Sequence, residues 1–178
     1  MRRWLRPTYI VDRIHEIEIR SLWARGIRGV ILDLDNTLVP WNQAELPPEI
    51  QRWIEMAKIQ GLRLCLVSNA FRGARVKQVA ERLGLNFVLR AGKPFPWAFR
   101  RGLAMLGTAP QQTCAIGDQI FTDMLGANWL GLDTILVTPM TTRESPHTRL
   151  IRFLERPLRR RWRKLLASKP PPGAAPPA

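Results

Sequence analysis

The stretch Val30-Ile31-Leu32-Asp33-Leu34-Asp35-Asn36-Thr37-Leu38-Val39 decides the fold. Its opening residues are almost all apolar, too short a run for an ordinary helix, and read as a buried strand. Asp33 and Asp35 interrupt the run near its C-terminal end and, two positions apart, point to one face. A carboxylate inside an apolar strand is costly unless it meets a cation or several donors. Two side by side also repel, and a bound divalent metal is the usual remedy. The competing reading is a strand end whose two solvated aspartates cap the next turn.

Downstream, apolar runs alternate with helical patterns. Pro47-Pro48 opens a helix to about Gln60, and Leu62–Val67 is a second strand with Ser68-Asn69 at its end. A helix over Phe71–Leu83 stops at Gly84, and Asn86–Leu89 forms a third, shorter strand. Lys93 precedes a helix over Pro96–Leu106. Thr113–Ile116 is a fourth strand ending at Gly117-Asp118, and a short helix near Met124–Trp129 leads to a fifth strand at Thr134–Val137. Strands alternating with helices predict an α/β fold, a doubly wound parallel sheet.

Upstream, Arg2–Arg25 carries Ile10, Ile14, Ile17 and Leu22 near the helical period, which predicts a basic N-terminal helical segment over residues 1–29, packed on the domain, with an amphipathic surface element as the alternative. The core spans residues 30–142. Residues 143–168 form a basic amphipathic helical extension, with a break expected at Pro157. The Pro- and Ala-rich tail 169–178 is expected to be disordered.

The chain of 178 residues suits one domain with appendages, and 46% hydrophobic residues suffice for a core. The net charge of +14 points to an anionic partner. That excess sits at the two ends: seven basic against three acidic groups in residues 1–29, and ten against two in 143–169. Cys65 and Cys114 lie in apolar runs and read as buried core thiols rather than a disulfide or metal pair, which agrees with a reducing compartment. No apolar run reaches the roughly 18 residues of a membrane span, and Met1–Arg20 lacks the hydrophobic segment of a signal peptide. A cytoplasmic protein is expected.

Ligands of parallel sheets bind at the C-terminal edge, where the strand order reverses. Asp33, Asp35, Ser68, Asn69, Lys93, Asp118 and Asp123 all fall on that edge. Any one has an ordinary explanation as a helix cap, surface charge or turn former. Their convergence is hard to obtain from capping alone. Acids with one lysine and one serine suit a hard cation holding a phosphoryl group, and Mg²⁺ matches this modest set of carboxylates. No Gly-rich phosphate loop and no His/Cys cluster is evident, which argues against a P-loop or zinc site.

D-L-D-N-T-L at 33–38, S-N at 68–69, K-P at 93–94 and G-D-Q-I-F-T-D at 117–123 resemble, in order and in position, the four motifs of the haloacid dehalogenase (HAD) superfamily. The wording of the first, third and fourth is similar to the YqeG-like branch, which includes phosphatidylglycerophosphate phosphatases. The resemblance implies that Asp33 attacks phosphorus and that Asp35 protonates the leaving oxygen and then activates water. It implies that Asp33, the Asp35 carbonyl and Asp118 ligate Mg²⁺, and that Ser68 and Lys93 hold the transferring phosphoryl oxygens. Thr37 and Asn69 are implied as supporting donors, and Asp123 as orienting the metal ligands or Lys93. An acid at position 35 favours a phosphatase over a dehalogenase. Asp33 to Ser68 and Ser68 to Lys93 leave no room for a cap domain, so a capless, open site is expected.

The expected function is therefore Mg²⁺-dependent phosphomonoester hydrolysis through an aspartyl-phosphate, acting on a phospholipid headgroup at the cytoplasmic membrane face. Alternatives are a phosphatase of nucleic-acid ends or phosphoproteins, and a non-catalytic module that binds ribosomes or membranes. Leu150, Leu154, Leu158, Trp162 and Leu166, bordered by arginines, read as a peripheral helix lying on an anionic membrane surface. The competing reading packs those leucines on the domain.

Overall fold

The computed structural model of the protein describes residues 2–71 and 73–166. The tail 169–178 lies outside the described residues. Six parallel strands form one sheet: β1 (Tyr9–Val11), β2 (Gly29–Leu32), β3 (Arg63–Val67), β4 (Asn86–Val88), β5 (Thr113–Gly117) and β6 (Asp133–Val137), ordered β1-β6-β5-β2-β3-β4. Helices α1 (Ile19–Ala24), α2 (Pro48–Ile59), α3 (Gly73–Leu83), α4 (Pro96–Leu106) and α5 (Leu125–Trp129) connect them. α6 (Pro146–Leu166) closes the described chain. The result is an open, doubly wound α/β fold.

Alternation along the central strand explains the layers. Val30 and Leu32 pack among residues of α2 and α3, including Trp53, Ile54, Val76 and Val79. Ile31 points the other way and packs with Ala98 and Phe99 of α4 and Ala127 of α5. β2 is buried at every position because helices cover both faces. From β2 the chain winds outward through β3 and β4, then returns to lay β5 on the other side of β2. The switch point thus falls between β2 and β5, where parallel sheets bind ligands. Cys65 and Cys114 are buried free thiols, and burial pushes Cys65 up to about 12.

The N-terminal segment differs from the single helix its isoleucine spacing predicts. Tyr9–Val11 joins the sheet beside β6, as a sixth strand. Ile14 lies in a 3₁₀ turn before α1, and the indole of Trp53 donates to the Ile17 carbonyl at 2.7 Å. Ile10, Ile14, Ile17 and Leu22 all face apolar partners, but from a strand, two turns and a helix. Local spacing registered the shared burial and could not register the sheet edge that supplied it.

α6 also departs from expectation, since it runs through Pro157 without a break. Pro157 and Phe153, the residue whose carbonyl loses its partner, are both exposed. The four-residue leucine repeat does not mark one face either. Four residues advance a helix by about 400°, so each step precesses by about 40°. Leu150 and Leu154 are exposed at 62% and 55%, whereas Trp162 and Leu166 are buried. Trp162 packs with Ile120, Met124 and Leu136, seating the second half of α6 on the domain. Replacing Trp162 by Ala removes this anchor and should destabilise the protein by about 3–5 kcal/mol in urea unfolding. A loss below about 1 kcal/mol would mean that α6 is not seated there.

Candidate active site

Asp33 follows directly on β2, its backbone N–H held by the Ile116 carbonyl of β5 at 3.0 Å. Asp118 follows directly on β5. Neighbouring strands of equal reach therefore bring these two carboxylates together at the switch point. Asp123 joins them from one turn of π-helix, Ile120–Met124. Carboxylate oxygens of Asp33, Asp118 and Asp123 lie within 4.8 Å of one another. Gly117 permits this, since a Cβ there would collide with the Asp123 carboxylate.

Lys93 holds two of the three. Its ammonium donates to Asp33 Oδ1 at 2.6 Å and to Asp123 Oδ1 at 2.7 Å. Burial alone would lower the Lys93 pKa, but Asp123 and Asp33 outweigh it and raise it. Thr37 donates to the other oxygen of Asp33 at 3.0 Å, and the Gln119 N–H donates to Asp123 Oδ2 at 3.1 Å. Asn69 fixes the lysine's backbone: its amide donates to the Lys93 carbonyl and accepts from the Lys93 N–H. The hydroxyl oxygen of buried Ser68 accepts from the Ala70 N–H at 3.1 Å, which leaves its proton free to donate into the site.

Asp35 stands apart from this cluster. β2 ends at Leu32, so residues 33–39 leave the strand and its two-residue alternation no longer applies. The Asp35 carboxylate pairs with Arg75 of α3 at 2.5 Å and accepts from the Asn42 N–H at 3.1 Å. It remains on the wall of a pocket of about 660 Å³ shared with Asp33, Ser68, Asn69 and Lys93. Neither the β2–β3 nor the β3–β4 connection carries a cap domain. Ser145, Thr148 and Ile151, leading into and along α6, line one side of the pocket instead.

The sequence reads Arg152 as one of the arginines turned toward an anionic surface; it reaches instead from α6 to the third carboxylate, because Asp118 lies buried beneath that helix. Its guanidinium pairs with Asp118 Oδ2 and also donates to the Asp118 carbonyl at 2.5 Å. It pairs in turn with Glu144, which accepts from the amide of Asn36 at 3.1 Å. Asn36, left-handed at φ 62°, belongs to the loop after β2. The C-terminal helix is thereby tied to both acidic loops. One signal was available: Glu144 and Glu155 are the only acids among ten basic residues in 143–169. Glu155 is fully buried and accepts from the Phe121 N–H at 2.8 Å.

Asp118 Oδ1 is buried and has no hydrogen-bond partner. Burial raises the Asp118 carboxyl well above its ordinary range, Arg152 opposes this, and Asp33 and Asp123 add to it. A buried carboxylate with one oxygen unpartnered, clustered with two further carboxylates, fits a hard divalent cation. A cation there would engage Asp33 and Asp118, and Lys93 would be left to neutralise Asp123.

A HAD-hydrolase-like family model matches residues 90–152. The chain is 36% identical over 156 residues to the probable phosphatase YqeG of Bacillus subtilis (strain 168), covering 88% of this chain and 90% of that one. It is 27% identical to phosphatidylglycerophosphate phosphatase 1, chloroplastic/mitochondrial, of Arabidopsis thaliana, covering 90% of this chain and 49% of that protein. Among solved structures, an uncharacterised protein from Listeria monocytogenes serotype 4b shares the fold, with a TM-score of 0.55, 19% identity and coverage of 67% of this chain and 85% of that one. The chain belongs to the haloacid dehalogenase superfamily, in its YqeG-like branch of phosphatases. It is a HAD-family phosphatase.

Partners that hold a ligating carboxylate are worth about 10–100-fold in metal affinity. Arg152→Met should therefore weaken divalent-cation binding by that factor in calorimetric titration, with Arg152→Lys recovering part of it. Unchanged affinity would show that Arg152 does not hold Asp118 for the cation. The raised carboxyls also set a pH dependence. Asp118 and Asp123 bind protons more tightly folded than unfolded, so in EDTA their contribution to stability falls as pH rises above 3.8. The decline should be smaller in Asp118→Asn, read from thermal midpoints between pH 4 and pH 7. An equal decline in that variant would place its origin elsewhere.

Proposed function

We propose that this phosphatase is an Mg²⁺-dependent phosphomonoesterase acting through an aspartyl-phosphate on Asp33, with phosphatidylglycerophosphate at a membrane surface as its substrate. The observation that carries the reading is the Asp33 carboxylate held between Thr37 and Lys93, clustered with Asp118, one of whose oxygens has no partner.

Asp33 attacks phosphorus while the bond to the leaving oxygen breaks, and a proton from Asp35 converts the leaving alkoxide to an alcohol. Asp35 then takes a proton from water, whose oxygen attacks phosphorus. The phosphorus–Asp33 bond breaks, inorganic phosphate leaves and the carboxylate is restored. Asp35 must turn from Arg75 to reach the leaving oxygen. Lys93 and the free proton of Ser68 bind the phosphoryl oxygens, and Asn69 keeps Lys93 in place. A bound Mg²⁺ supplies the charge that lets an anionic carboxylate approach an anionic phosphoryl group.

Support for a lipid substrate comes from the named activity of the Arabidopsis relative and from the surface around the pocket. Trp41 and Phe71 stand exposed at its rim. The outer side of α6 exposes Leu150, Phe153, Leu154 and Leu165 among Arg149, Arg156, Arg160 and Arg161, a pattern suited to an anionic interface. Among the described residues no helix is long and apolar enough to cross a membrane.

Phosphate release from phosphatidylglycerophosphate in mixed micelles, beside a 5′-phosphorylated oligonucleotide and p-nitrophenyl phosphate, tests the reading. EDTA should abolish turnover and Mg²⁺ restore it. Asp33→Asn should lower it by at least about three orders of magnitude, on the order of 4 kcal/mol. Leu154→Glu with Leu165→Glu should reduce lipid turnover more than turnover of p-nitrophenyl phosphate. Preference for the oligonucleotide would overturn the lipid substrate, and near-normal activity in Asp33→Asn would overturn the mechanism.

A further inference from the structure

A second cavity, of about 1000 Å³, opens between α6 and residues 138–144. It shares no lining residue with the catalytic pocket. Its wall is a row of guanidinium groups, of which Arg152 and Arg163 are matched by carboxylates, Asp118 with Glu144 and Asp12. Arg149, Arg156, Arg159 and Arg160 have no carboxylate within 4.0 Å among the described residues.

Arg159 is the most telling of these. It is part-buried, yet its guanidinium is held only by the carbonyls of Val137, at 3.1 Å, and Asp118. Burial and the neighbouring Arg152 lower its pKa, with Glu155 opposing. A part-buried cation held by carbonyls, with another cation beside it, is under-compensated, and an anion in the groove would supply the missing charge. Leu150, Phe153 and Pro139 line the same groove, and Leu150 and Phe153 continue into the exposed apolar side of α6. Cationic and apolar walls together suit an amphiphile better than a free ion.

We propose that this groove is a binding site for the phosphate headgroup of an anionic phospholipid, distinct from the catalytic pocket. Arg156, Arg159 and Arg160 take the phosphate, and the first acyl carbons lie along Leu150 and Phe153. The site does not depend on the lipid substrate proposed for catalysis and would stand if that substrate proved soluble.

Calorimetric titration of the full chain with dihexanoylphosphatidylglycerol below its critical micelle concentration tests the site, beside inorganic phosphate and a short oligouridylate. One lipid per chain is expected, with inorganic phosphate at least tenfold weaker. Two charge-assisted contacts are removed in Arg156→Ser with Arg160→Ser, which should weaken the lipid by about tenfold or more. Both side chains are exposed, and an unchanged thermal midpoint verifies folding. A photoreactive analogue of the same lipid, cross-linked to the unaltered protein, should label Pro139, Leu150, Phe153 or their groove neighbours, and not residues 68–93 or the catalytic-pocket residues Ser145, Thr148 and Ile151. Equal affinity in a folded variant, equal affinity for inorganic phosphate, tighter binding of oligouridylate, or labelling confined to the catalytic pocket would each overturn the proposal.

Discussion

Three carboxylates crowded at the ends of two adjacent strands are the constraint from which the rest of this structure follows. Like charges within 4.8 Å repel by about 3 kcal/mol per pair at an effective dielectric constant of about 20. Lys93, at 2.6 and 2.7 Å from Asp33 and Asp123, attracts each by roughly twice that. It therefore balances the pair it touches and leaves Asp118 opposed by both neighbours. Asp118 is fully buried, so solvent offers it no relief. Arg152 answers that need for one oxygen, and the other remains without a partner.

That need explains why the C-terminal helix belongs to the catalytic domain instead of trailing from it. Trp162 and Leu166 seat its second half in the apolar layer. Arg152 then reaches Asp118, and Glu144 links the same guanidinium to Asn36 in the loop after β2. One helix thus steadies both acidic loops, walls the pocket with Thr148 and Ile151, and turns arginines and leucines outward. In a HAD phosphatase with no cap between its core strands, this is the element that gives the pocket its side wall.

The central strand, the crossovers and the convergence of polar residues on one sheet edge were legible because each has a local cause. Buried parallel strands are continuous apolar runs, and their functional residues sit immediately after them. β1 was not legible: three residues have no periodicity of their own, and the strand exists because β6 offers a free edge. That the Asp35 carboxylate pairs with Arg75 on the pocket wall, outside the acidic cluster, was not legible for a related reason, since a strand's alternation ends where its hydrogen bonds end. Arg152 was hidden among like residues, and only the fold distinguishes the arginine that faces Asp118 from those that face water. The leucine repeat of α6 was visible, but a four-residue step precesses around a helix and hands its residues from solvent to core.

Burial and Arg152 together leave one oxygen of Asp118 available to a cation. A crystal soaked in Mn²⁺ and measured at the manganese absorption edge tests this directly. One anomalous peak is expected at bonding distance from both Asp33 and Asp118 Oδ1, with Arg152 still paired to Asp118 Oδ2. A peak that displaces Arg152, or strong peaks elsewhere with none between Asp33 and Asp118, would contradict it.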